Sequence, residues 1–149
     1  MMVLALAMAL TAGEPSRPPL ADCAADPGLT ISGTISGYQA GKGLFLALYR
    51  SAADFAGKKY CRTLRFLGDK LPADSLRYAF TGVAPGEYMI ACFQDMDGDG
   101  KMTTGMFGIP KDPYRIVLPN HGFFGPKFDR CKFTVKQDYT SANMDFAGR

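Results

Sequence analysis

The sequence carries a strict alternation at Leu29, Ile31, Gly33 and Ile35, which interleave with Thr30, Ser32, Thr34 and Ser36. A two-residue period sends successive side chains to opposite faces of an extended backbone, so this run reads as a strand with one polar face. Short apolar runs of the same kind recur down the chain. Gly41-Lys42-Gly43 turns into Leu44–Tyr49, apolar throughout and expected to be a central strand buried on both faces. Cys61–Leu67, Leu76–Thr81, Gly86–Gln94, Tyr114–Leu118, Cys131–Lys136 and Ser141–Phe146 complete the set. Between Tyr49 and Cys61, the alanine-rich Ser51–Lys59 reads as a turn of helix or an irregular excursion.

With 17 Gly and 10 Pro in 149 residues, turns are frequent enough for short strands and too frequent for long helices. Seven or eight strands with turns between them predict an all-β chain, a single antiparallel β-sandwich of the immunoglobulin-like kind. Leu46, Leu48, Tyr88, Ile90, Phe133 and Val135 are expected in its core. No internal repeat or second domain is visible, and the 47% hydrophobic content suffices for a real core.

The N-terminus reads differently. Val3–Ala12 is an apolar run of signal-peptide length, too short to span a bilayer, and small residues at Ala7, Ala9, Thr11, Ala12 and Gly13 suit a signal peptidase. Met1-Met2-Val3 stands where a basic segment ordinarily precedes such a run. The expected organisation is a signal peptide over 1–13, a proline-rich linker over 14–28 and the sandwich over 29–149. The protein is thus expected to be exported, whether periplasmic, outer-membrane-associated or secreted, with no transmembrane span. Four cysteines, Cys23, Cys61, Cys92 and Cys131, fit an oxidising compartment and up to two disulfides. Cys92 with Cys131 is the favoured pair, because both sit at strand ends bordering one loop-rich region.

The densest basic stretch, Lys58, Lys59, Arg62 and Arg65, is accompanied by no aromatic-basic nucleic-acid motif and reads as a solvated face, so no nucleic-acid partner is expected. Chemistry concentrates instead after the Gly86–Gln94 strand. Asp95-Met96-Asp97-Gly98-Asp99-Gly100 places three carboxylates at alternate positions and a glycine at the sixth, the front half of a calcium loop. Lys101 can offer its carbonyl and Thr103 stands at the ninth position, while Met106 occupies the twelfth, where a bidentate Glu would close the shell. Asp112, Asp129 or Asp145 would have to complete it. The same residues also make a tight Asx-type turn without any metal. The metal candidates are therefore Asp95, Asp97, Asp99, Lys101, Thr103 and Asp112, with calcium as the ion.

Gly86-Glu87-Tyr88, the acidic loop ending Gly-Lys, Gly108-Ile109-Pro110 with Asp112, and Phe124-Gly125-Pro126 occur in an order that resembles the bacterial domain-of-unknown-function 2141 family. That resemblance covers most of Leu29–Phe146 and implies an exported, prealbumin-like sandwich of unassigned activity. The chain departs from the family pattern at three places. Gln94 stands where His is common, Thr103 where Asp is common, and Pro113–Leu118 where a Gly-aromatic-Gly-Phe-Ser-Asn segment is usual.

The expected function is a non-enzymatic module of the cell envelope that meets an envelope partner or small ligand. The alternative is a small-molecule or saccharide-binding sandwich using Phe107, Tyr114, Phe123 and Phe124 of the 107–128 segment. A hydrolase is not expected, because the lone His121 cannot build a triad with any sequence signature.

Overall fold

A computed structural model describes residues 23–98, 112–119 and 126–147. Residues 1–22, and with them the expected signal peptide and most of the linker, lie outside the described residues. Eight strands are present among those described: β1 (Ala24–Ser36), β2 (Gly43–Tyr49), β3 (Arg62–Phe66), β4 (Ser75–Val83), β5 (Gly86–Asp95), β6 (Tyr114–Ile116), β7 (Phe133–Val135) and β8 (Met144–Asp145). Two short helices join them, α1 (Ala52–Ala56) and α2 (Phe128–Cys131).

The strands form two sheets. One has the order β4-β1-β8; the other runs β3-β2-β5-β6, with β7 also paired to β5. β7 takes Gly86–Tyr88 and β6 takes Ala91–Phe93, so two short strands succeed each other along β5. All pairings are antiparallel except β8, which runs parallel to β1. The chain is an all-β sandwich.

Alternation decides what lies between the sheets. Ile31 and Ile35 of β1, Tyr78 and Phe80 of β4, Leu44, Leu46 and Leu48 of β2, and Tyr88, Ile90 and Cys92 of β5 all join one buried cluster. The expected core residues Leu46, Leu48, Tyr88, Ile90, Phe133 and Val135 are all buried. Each aliphatic side chain so buried contributes about 1.5–3 kcal/mol. Gly33 marks a close crossing. A Cβ there would stand 1.7 Å from the Ala142 carbonyl oxygen, and Tyr78, the cross-strand partner of Gly33, donates its hydroxyl to that same oxygen. The C-terminal segment is thereby stitched along β1, with further bonds from Ser32 to Tyr139 and from Phe146 to Ser36. Arg115 on β6 closes the far end: its guanidinium donates to the carbonyls of Asp145 and Phe146 and lies 5.3 Å from the Phe146 ring centre.

Three expectations change. β1 opens at Ala24, so the end of the 14–28 segment belongs to the sheet; irregular register between Ala24 and Ile31 accommodates Pro27 there. β2 is central but not buried on both faces, because Phe45 and Tyr49 are only partly covered. The favoured cysteine pair is wrong. Cys23 bonds Cys61, while Cys92 and Cys131 remain buried thiols. The reason is parity along β5: Cys92 points into the core between the sheets, whereas Cys131 packs with Met89, Ile116 and Phe128 on the opposite face. The sheet itself separates them. Cys23 leads into β1 and Cys61 precedes β3, so the bond ties one sheet to the other.

Candidate functional site

The acidic loop leaves the sheet at the end of β5, and its anchor is a buried amide. Gln94 is 2% exposed, with its Oε1 accepting from the Gln39 N–H at 2.8 Å and its Nε2 donating to the carbonyls of Gln39 and Lys42. Gln94 is thus a clamp on the β1–β2 turn. From there the chain reverses. Asp95 Oδ1 accepts from the Gly98 N–H at 3.0 Å, and Gly98 has a φ of 76°, a conformation that glycine adopts without strain. Asp112 is buried beside this turn, its Oδ1 accepting from the Met96 N–H, and the next carbonyl, of Pro113, accepts from the Gln94 N–H.

The structure therefore brings Asp112, distant in sequence, to the first turn of the loop that contains Asp95 and Asp97. Asp99, Lys101 and Thr103 lie outside the described residues, as does Met106. Among the described residues no three metal-ligating side chains converge. Of the other candidate ligands, Asp129 is exposed on α2 and Asp145 accepts from the Ala147 N–H elsewhere in the fold. Phe107, His121, Phe123 and Phe124 also lie outside the described residues, while Tyr114 packs on the second cluster.

A groove of about 460 Å³ opens next to the loop, on the face of the five-stranded sheet turned away from its partner. Register builds it. Arg65, Phe45, Phe93 and Tyr114 are cross-strand neighbours in one row, and Gly43 pairs with Asp95 in the next. The Phe45 and Phe93 rings stand 5.3 Å apart, and the Arg65 guanidinium sits 5.8 Å from the Phe45 ring centre. At Gly43 no side chain rises, which leaves a notch between the phenylalanines and the carboxylates. The two helices cover the other half of this face, where Phe55, Phe128 and Cys131 pack with Met89 and Ile116.

Sequence reasoning missed Gly43, Phe45 and Phe93 as parts of this groove. Phe45 lies inside an unbroken apolar run in which nothing separates the inward positions from the outward ones. No signal in the sequence marks the groove, because it depends on the register that sets Gly43 opposite Asp95. Elsewhere the chemistry is quiet: burial pushes the Cys92 thiol well up, which keeps it protonated and removes it as a nucleophile. No described helix is long and apolar enough to cross a membrane.

A family model described as "Uncharacterized protein conserved in bacteria (DUF2141)" matches residues 34–143. No curated protein and no solved structure matches the chain.

Proposed function

The chain belongs to the bacterial DUF2141 family, and we propose that it is an exported, non-enzymatic β-sandwich module of the cell envelope whose acidic loop binds calcium weakly. The observation that carries the proposal is the Cys23–Cys61 bond. Disulfides persist in oxidising compartments and are rare where thiols are kept reduced, and this one staples the two sheets. The apolar run Val3–Ala12 supplies a means of export. Fusing residues 1–28 to a reporter enzyme that is active only outside the cytoplasm tests it: activity supports export, and a silent reporter contradicts it.

The donor set suits a hard cation. Asp95, Asp97, Asp99 and Asp112 offer carboxylate oxygens, with the Lys101 carbonyl and Thr103 as further donors. Asp112 stands at Met96, and the Gly98 reversal keeps the Asp95 end of the loop tight. A bound ion would relieve the repulsion among these carboxylates. With Met106 at the closing position, affinity belongs in the range of extracellular modules, about 10⁻⁴–10⁻³ M. At free calcium about ten times the dissociation constant, linkage stabilises the fold by about 1.4 kcal/mol. Melting in calcium against chelator should show that gain in the native chain and lose it in Asp97→Ala. An unresponsive native chain would leave the loop a turn.

A further inference from the structure

We propose that the groove above Gly43 is a binding site for a neutral saccharide. This goes beyond the envelope role; the groove shares Asp95 and Asp97 with the acidic loop, and its apolar contacts, which a bound ion would leave in place, carry the assignment.

Half-buried Phe45 forms its wall, backed by Phe93, which is 7% exposed and tilted 37° to it, with Leu67, 59% exposed, on the other side. A sugar ring presents an apolar C–H face ringed by hydroxyls. Phe45 and Leu67 provide the apolar counterpart, and the notch at Gly43 admits the ring because nothing rises from the sheet there. That notch is constrained: a Cβ on Gly43 would meet the Phe66 carbonyl at 3.0 Å. An ionised carboxylate accepts at several lone-pair positions, so Asp95 can take hydroxyl donors as well as the Gly98 N–H.

Charge selects among ligands. Lys42 and Arg65 line the groove along with Asp95 and Asp97, so the described lining is balanced in sign. A strongly anionic ligand would meet the carboxylates, and a strongly cationic one would meet Lys42 and Arg65. A neutral ligand rich in both donors and acceptors meets neither penalty. The volume, about 460 Å³, falls within the range of small-molecule sites, about 300–1,000 Å³. The site is also held in place beforehand. Gln94, on the opposite face of β5, grips the Lys42 and Gln39 carbonyls, so the turn that forms one rim need not order on binding.

The test titrates the isotope-labelled full chain with cellotetraose, chitotetraose and polygalacturonate, in calcium and in chelator, and follows amide shifts. At least one neutral oligosaccharide should shift amides at Gly43–Phe45, Leu67–Gly68 and Phe93–Gly98 in both buffers. Phe45→Leu removes the ring but keeps apolar volume, and Leu67→Ala changes an exposed side chain, so the latter keeps the test open should the former unfold. Each should weaken binding roughly three- to tenfold, the worth of an aromatic or apolar contact. Shifts absent or mapping elsewhere, tighter binding of polygalacturonate, or native affinity in a folded Leu67→Ala chain would each overturn the assignment.

Discussion

Removing the Cys23–Cys61 bond, by reduction or in a Cys23→Ala/Cys61→Ala chain, should cost the sandwich about 4 kcal/mol. The bond closes a loop with a sequence separation of 38 residues, and chain-entropy arithmetic for a loop of that length gives about 4 kcal/mol at room temperature. Both cysteines are also buried at 2% exposure, so the alanines forfeit some packing as well. The reduced native protein is therefore the cleaner comparator. At a urea slope of about 2 kcal/mol/M, the loss appears as a midpoint lower by about 2 M. Reduced native protein and double variant should unfold at nearby midpoints, both far below the oxidised protein. A reduced protein that unfolds within about 0.5 M of the oxidised one, an effect of about 1 kcal/mol at that slope, would refute the reasoning. The bond would then constrain little of the unfolded chain.

Gln94→Leu keeps the volume but strips the Gln39 N–H and the Gln39 and Lys42 carbonyls of their partner, at a cost of about 1–3 kcal/mol, and hydrogen exchange at the Gln39 amide should quicken. Gly33→Ala forces the C-terminal segment off β1 at Ala142, so urea should unfold it at a clearly lower midpoint and the Tyr139 and Ala142 amides should lose protection. Burial, reinforced by Tyr60, pushes the Tyr49 hydroxyl up from 10.0 to about 12. The unfolded chain ionises it first, so its contribution is whole below pH 10 and is lost as pH rises toward 12; stability measured across that window should fall less steeply in Tyr49→Phe.

Period-two patterning was enough to reveal the sandwich, because every strand with a clear alternation, such as Leu29–Ser36, has one face it must bury. It was not enough where a strand is apolar throughout. In Leu44–Tyr49 an unbroken apolar run conceals that Leu44, Leu46 and Leu48 meet the other sheet while Phe45 and Tyr49 face outward. The second small core beneath α1 and α2 was invisible for the same reason. Disulfide choice depends on which face of β5 each cysteine shares, and spacing along the chain carries no such information. Within the candidate site the Asp95–Gly98 reversal was legible from Asp and Gly alone, and so was Asp112 as a candidate neighbour. The groove was not, since it arises from register between three strands, with Gly43 set opposite Asp95 and Arg65 beside Phe45.

The envelope-module account is tested most directly by the mass of the native protein recovered from the cell envelope, taken with and without chelator and after alkylation. The account predicts a chain processed at about Gly13, one disulfide joining Cys23 to Cys61, and thiols at Cys92 and Cys131 that alkylate only on unfolding. It also predicts a calcium adduct that the chelator removes. An uncleaved chain confined to the cytosol, with all four cysteines alkylating and no calcium adduct, would contradict it.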